Sequence, residues 1–581
     1  MLNKIFYTID SISRFQPKQL YYWIVNKYLK KILPAENIDI SKVDNIEISD
    51  LHEAIKKAEK LFALDDKSIY KFGLKNPLQH HPYYFQAKDF IENISKDTYG
   101  FSKINSEDDE IINNYHRFFL FAEIFSDSNC EQESRINLII NWIGNVPRSN
   151  KKAWTGFNAT IRLLNWIKIL IDIDKNFVIN ETDSKKIIRS IFENIYFVRK
   201  HIEYHIPGNH IIFQFYILWL ISEIFPNWKD SKEINQFAYK NLVEEFDAEF
   251  LESGFHFEQS YHYHLQITLL GIYWKYNLSK LGKKLDPKIK SKIENAVRLT
   301  DKFILGNEYI PMLADNCFTF FHENNYEDFS NLNYLRNNIF NISDESKNNE
   351  EIENQYIIAN KFNKKLIVDV GNIGLPCNPG HGHSDIFSFL FSYKEQPIFI
   401  DPGTRKYNNS KEDMLLKKTT SHNTLSVNGE DQSKLWGFFR WAYLPKNIRY
   451  NFEESEDSFY FSGSFIGFRH LGHYKHSREI DLQENQIIIK DSIDKQFDKI
   501  YLSFVLHQDV LFDKTNNMIF SNEKIKKKFI VNSEFPFEII FEEYYVYPNY
   551  DFPVKSNKIT VIFKSEIKKS FYSEIIVKDI I

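Results

Sequence analysis

Between about residue 155 and residue 306, apolar positions recur three and four apart along the chain. Ile161, Leu164, Ile167 and Leu170 form one such set, and Ile188, Ile191, Ile195 and Val198 form another. That spacing places side chains on one face of a helix. Short polar turns such as Pro226-Asn227-Trp228-Lys229-Asp230 separate the sets, so successive helices of roughly 15–20 residues are predicted. Residues 16–35 and 109–126 carry the same signature, and Glu107 to Glu110 supply acidic charge for a first turn. A run of helices of similar length points to an α/α barrel or toroid rather than a four-helix bundle. After a polar, Asn- and Glu-rich stretch at 324–354, the pattern changes to alternation. Segments 365–370, 448–452, 459–463, 486–490, 501–505 and 558–563 read as strands, with a hairpin turn at Glu484-Asn485. Frequent strands without intervening helices predict an antiparallel sandwich. The expected organisation is a multidomain chain, α then β. A helical extension at 1–104 precedes an incomplete α/α toroid at 105–323, a linker at 324–364 and an antiparallel β-sandwich at 365–581. The functional site is expected in the cleft between the two large domains.

The length of 581 residues agrees with more than one domain, and an apolar content of 43% supports a sizeable core. Aromatic residues make up 16%; rings beyond the needs of packing often line sugar clefts, although an AT-rich genome gives the same bias. A net charge of −5 without a basic block argues against nucleic acid as a partner. A polyanion would instead need a local cationic cleft. Cys130, Cys317 and Cys377 are far apart and odd in number, so no disulfide framework is implied. The first ten residues lack the apolar stretch of a secretory signal. The longest apolar stretch, 211–225, is interrupted by Gln214 and Glu223 and is too short to span a bilayer. A cytoplasmic location is the expectation.

Candidate chemistry concentrates in one tract. It runs through His381-Gly382-His383, then Asp401-Pro402-Gly403-Thr404, then Ser421-His422-Asn423-Thr424. On a regular strand both imidazoles of His-x-His would share a face, but Gly382 allows the two rings to serve different sites. Imidazoles with one carboxylate suit zinc. The alternative is a set of separate, hydrogen-bonded polar residues near turns. Three helical segments also stand out: Trp154 to Trp166, His205-Ile206-Pro207-Gly208-Asn209-His210, and Phe255 to His264. Asn209 suits an N-cap, where Asn-His would offer donors and a positive dipole end to an anion.

These stretches resemble the heparinase II/III-like polysaccharide lyases, whose relatives include alginate lyases. The resemblance spans roughly residues 105–580 and is most specific in the His-Gly-His, Asp-Pro-Gly-Thr, His-Asn-Thr, Asp-Gln-Ser, Trp-Gly and Phe-Arg run. It implies a toroid followed by a β-sandwich, and β-elimination at a uronic acid in an anionic polysaccharide or oligosaccharide. By resemblance, Asn209 and His210 neutralise the substrate carboxylate, Tyr263 transfers a proton, and His381 is a second base or acid. His383, Asp401 and His422 would hold one structural zinc ion, bracing the loop that carries His381. The family pattern Phe-Glu-x-Ser-x-x-Tyr-His falls on Phe257, Glu258 and Ser260, hence on Tyr263-His264. Tyr261-His262 repeats the same pair two positions earlier. Arg405 stands where relatives carry an aromatic residue, so Tyr407 is expected to take over that contact, and a cation at 405 would favour a more anionic substrate. Arg162, Arg440 and Trp436 complete the saccharide-binding candidates, with a helix-to-helix salt bridge as the other reading of Arg162. Competing functions are a zinc-dependent hydrolase, a glycoside hydrolase using Asp315 and Glu258, and a non-catalytic glycan-binding or assembly protein of a surface-polysaccharide pathway.

Overall fold

The computed structural model describes residues 2–29, 48–62 and 82–94. Apart from short breaks at 102–103, 105, 107, 128–130, 174–176, 307–308, 522–524 and 566–569, it also describes 100–316 and 349–579. Six consecutive helices form the heart of the first domain: Gly156–Ile171, Glu181–Lys200, Asn209–Ile224, Ser231–Glu249, Tyr261–Lys280 and Pro287–Lys302. Their burial alternates. Asn209–Ile224 is buried at every position but His210, and Tyr261–Lys280 is buried nearly throughout. Glu181–Lys200, Ser231–Glu249 and Pro287–Lys302 bury one stripe each. A helix apolar all round belongs inside and an amphipathic one outside, so the sequence itself sorts the helices into an inner and an outer layer. Helix Ile48–Phe62, placed by sequence in a separate extension, packs against Gly156–Ile171, Glu181–Lys200, Asn209–Ile224 and Tyr261–Lys280. Asn277 Nδ2 donates to Leu61 O at 2.7 Å. That helix is thus part of the helical body.

The second domain is antiparallel. A five-stranded meander runs from Asn349–Ile352 to Gln396–Phe399. An eight-stranded sheet has Lys446–Glu454 at one edge and Leu511–Asp513 at the other, and a four-stranded sheet holds Leu425–Val427 at its edge. The sheets share one core in which Phe389, Phe461, Ile489 and Val561 meet. Strands Tyr474–Gln483 and Gln486–Ile493 alternate buried and partly exposed residues, as a sheet with one covered face requires. Sheet formation begins earlier than the pattern indicated: Asn349–Ile352 and Tyr356–Lys361 are strands within the stretch read as linker. Tyr356, Ile357, Ile358 and Ala359 are all buried, so this strand shows a short continuous apolar run beside polar Asn and Glu residues rather than an alternation. The rest of that linker up to residue 348 lies outside the described residues, as do Cys130 and Cys317. Among the described residues no helix is long and apolar enough to cross a membrane.

Candidate active site

A cavity of about 680 Å³ opens between the domains. Its helical wall starts at Gly208, whose φ of 135° is open to glycine and strained for other residues. A Cβ there would also meet Glu258 Oε1 at 1.7 Å. The sequence placed the N-cap on Asn209; the structure places it on Gly208 and makes Asn209 the first helical residue. This shift has a consequence. The anion at the helix start is the protein's own Glu258, which accepts from Asn209 N at 2.8 Å and from Asn209 Nδ2 at 3.2 Å. His210 follows with its ring stacked on Phe157, centroids 3.8 Å apart and nearly parallel. Its Nδ1 lies 2.7 Å from Glu203 Oε2, which directs Nε2 to the cavity. Burial works against ionising Glu203, but the His210 contact and the Phe157 N–H outweigh it and hold the carboxyl below its usual range.

Ser260 caps the next inner helix, accepting from Tyr263 N at 3.3 Å and donating to Asp315 O at 2.7 Å. Tyr263 therefore sits in the first turn, facing the cleft, with its hydroxyl 3.2 Å from that of Tyr407. Tyr261 points the other way: it is fully buried, packs on Phe303 and donates to Thr300 O.

The β wall presents His381 on the 3-10 turn Pro379–His381. Its ring lies 4.2 Å from that of Tyr263. Nδ1 is 3.1 Å from Asp315 Oδ2, while Nε2 is 3.8 Å from Glu258 Oε2. Asp315 is a buried hub. It also receives Lys417 Nζ at 2.8 and 2.9 Å and Thr404 Oγ1 at 3.2 Å, and its other oxygen lies 2.9 Å from His383 Nε2. Burial would raise this carboxyl, but the Lys417 ammonium and the two imidazoles hold it far below its usual range. One carboxylate therefore orients both rings of His-Gly-His, and the rings serve different sites. His381 borders the cavity, whereas His383 is fully buried. Gly382 makes this possible, because a Cβ there would lie 2.4 Å from Gly374 N.

Behind His381, ligand atoms of His383, Asp401 and His422 all lie within 4.8 Å of one another, every one buried. His422 Nδ1 is 2.7 Å from Asp401 Oδ2. His383 Nδ1 and His422 Nε2 are buried without a hydrogen-bond partner among the described residues. Two orphaned imidazole nitrogens beside a carboxylate fit a divalent cation that takes nitrogen and oxygen donors. The loops carrying them are anchored by Arg478, fully buried in strand Tyr474–Gln483. It donates to Phe387 O at 2.7 Å, to Asn423 O at 2.6 Å and to Asp491.

The saccharide-binding candidates divide. Tyr407 and Arg440 line the cavity. Arg162 does not: it is fully buried, donates to Asn194 Oδ1, His116 O and Ala153 O, and stacks 4.0 Å over Trp142. It is a core brace between helices, held by neutral acceptors rather than by a salt bridge. Arg405 also turns away, with Nη1 3.3 Å from Asp413 and Nε 3.5 Å from Asp551, so its charge is matched inside the protein. Trp436 stands behind Arg440, whose guanidinium lies 5.0 Å over the indole; Tyr7 packs 6.2 Å from the same ring. Sequence reasoning did not single out Glu203 or Lys417, and gave Phe157, inside the Trp154 to Trp166 segment, no role of its own. Lys417 is more than 100 residues from Asp315 in sequence, and only the fold joins them. Glu258 was visible inside the Phe-Glu-x-Ser motif.

The profile of the heparinase II/III N-terminus matches residues 26–339, and that of the heparinase II/III-like C-terminal domain matches residues 354–573. The chain belongs to the heparinase II/III family. A curated relative, the heparin-sulfate lyase of Bacteroides thetaiotaomicron, is 24% identical over 337 residues, or 54% of this chain and 45% of the relative. The match thus spans less than half of that protein's length. Among solved structures, a heparinase III crystal structure shares the fold with a TM-score of 0.68 at 16% identity, covering 98% of this chain and 91% of the other. The heparan sulfate lyase HepC of Pedobacter heparinus gives 0.56 at 14% identity, with 93% of each chain covered. As a heparinase II/III family member, the chain carries toroid and β-sandwich in the order expected.

Proposed function

We propose that this heparinase II/III family protein is a polysaccharide lyase, cleaving a uronic-acid polymer by β-elimination and leaving an unsaturated uronide. The observation that carries the reading is the convergence of Asn209, His210, Tyr263 and His381 on one interdomain cavity. The proton on carbon 5 is weakly acidic until its neighbouring carboxylate is neutralised. His210, fixed by Glu203, and Asn209, fixed by Glu258, supply donors where charge builds as that proton leaves. Tyr263 and His381 meet ring to ring. One takes the proton and the other delivers one to the departing glycosidic oxygen; the configuration at carbon 5 decides which. Asp315 holds His381 Nδ1, which leaves Nε2 for that exchange.

In the same reading, His383, Asp401 and His422 hold zinc, which supplies a fixed positive charge that locks the turn next to His381. Hydrolysis by paired carboxylates is less well supported. Asp315 is fully buried and saturated by its partners, and Glu258 is engaged by Asn209. Relatives are named for heparin and heparan sulfate, yet this cleft is modestly charged. Arg117 donates to Glu110, and Lys168 lies close to Asp172. Arg440 has no carboxylate partner among the described residues and faces the cavity. These features suit a polymer with about one carboxylate per repeat rather than a densely sulfated one.

The test is incubation with unsulfated and sulfated uronate polysaccharides while the ultraviolet absorbance of a conjugated uronide is followed. Absorbance should rise faster with the unsulfated polymers. Chain cleavage with no absorbance change would point to hydrolysis instead.

A further inference from the structure

The first two helices cross from one domain to the other. On the β side, Arg14 donates to Pro376 O at 3.0 Å and to Trp441 O at 2.8 Å, and Tyr443 N donates to Asp10 Oδ2 at 3.0 Å. On the helical side, Asn26 Nδ2 lies 2.9 Å from His205 Nδ1, and Tyr22 packs 4.7 Å from Tyr204. Between these anchors, in helix Pro17–Ile24, is Gln19, only 4% exposed. Its Nε2 donates to Cys377 O at 3.0 Å and lies 3.5 Å from His205 O. Its Oε1 accepts from Gln16 N at 3.3 Å in a capping box that orients the amide. His205 stands four positions before Asn209, and Cys377 stands four before His381 (209 − 205 and 381 − 377). One side chain therefore touches both of the turns that present the site, one from each domain. A primary amide has two N–H groups on one nitrogen, which suits two facing carbonyls. An apolar residue of the same size would leave both acceptors without their donor.

We infer that Gln19 is a positioning residue: it ties the turn before Asn209 to the turn before His381 and so sets the width of the reaction site. The inference rests on the lyase reading for its kinetic consequence, but its mechanical part does not. Two variants separate packing from bonding. Gln19→Met keeps the volume and removes the donors, while Gln19→Glu keeps the capping acceptor and replaces the donors with an acceptor. Lys4→Ala, at an exposed position of the preceding helix Leu2–Ile12, serves as control.

Either Gln19 variant that melts cooperatively should lose on the order of 10–100-fold in kcat, because small misplacements of reacting groups carry large rate costs. KM should move by less than about threefold, since uniform binding is untouched. Amide hydrogen exchange, measured without substrate, should speed up in 203–210 and 376–382 together and stay unchanged in Lys4→Ala. A kcat within about threefold of the wild-type value, or exchange faster in one turn only, would overturn the proposal. Should the wild-type protein act on no uronate polymer, the lyase reading fails, and the exchange experiment still decides whether Gln19 couples the turns.

Discussion

Tyr263 and Tyr261 lie two residues apart on one helix, yet one faces a cavity and the other is sealed in the core against Phe303. A helix turns by roughly 100° per residue, so a shift of two places reverses the face. On the lyase reading, removing the Tyr263 hydroxyl takes away one proton-transfer group, a role worth about 10²–10⁴ in rate. Tyr263→Phe should therefore nearly abolish turnover with an unchanged melting temperature. Tyr261→Phe should do the reverse: it strands Thr300 O, costs about 1 kcal/mol of stability and leaves kcat of the folded protein intact. Steady-state kinetics and thermal melts of the pair check both expectations. Arg162 belongs to the second type. Arg162→Met leaves Asn194 Oδ1 and two carbonyls unpaired, so a loss of about 1–3 kcal/mol is expected, with kcat/KM preserved in the folded fraction. A fall in kcat/KM at unchanged stability would restore it as a saccharide contact.

At the level of elements, the period of the sequence made the outer helices and the half-covered strands legible, because each buries one stripe or one face. The His-Gly-His motif was visible directly, and Gly382 was read as allowing its two rings to serve different places, as the cavity-facing His381 and the buried His383 do. It did not reveal what orients them. Asp315 and Lys417 come from distant loops and carry no local signal, and the strands at 349–361 were disguised by polar neighbours. Arg162 misled for a related reason: an arginine in a recognisable motif looks the same in sequence whether it reaches a sugar or an indole in the core. The loops holding His383 and His422 give a further prediction. If they bind zinc, metal analysis of protein purified without added metal should find about one ion per chain, and His422→Ala should lose it. Prolonged chelation should then lower the melting temperature together with activity, because a bound metal that does not bind the unfolded chain stabilises the fold. A metal-free protein of full activity and stability would make the cluster a plain hydrogen-bonded one.

For the molecule as a whole, neither domain holds the site alone. Asn209, His210 and Tyr263 come from inner helices, and His381, Tyr407 and Arg440 come from the β domain. The N-terminal helices fasten one to the other through Gln19 and Arg14. Activity should accordingly require the two domains in one chain at fixed separation. The charge of the cleft follows the same logic: internal carboxylates beside Arg117 and Arg405 leave little uncompensated positive potential. Rates on an unsulfated polymer should then fall less than about threefold between low and physiological salt, as modest long-range attraction implies. The central claim is that the glycosidic bond is broken by elimination, with water taking no part. It is tested most directly by digesting a cleaved uronate polymer in oxygen-labelled water and weighing the products by mass spectrometry. Elimination predicts new unsaturated ends with no label incorporated; label at the new reducing end, with a saturated uronate opposite, would contradict it.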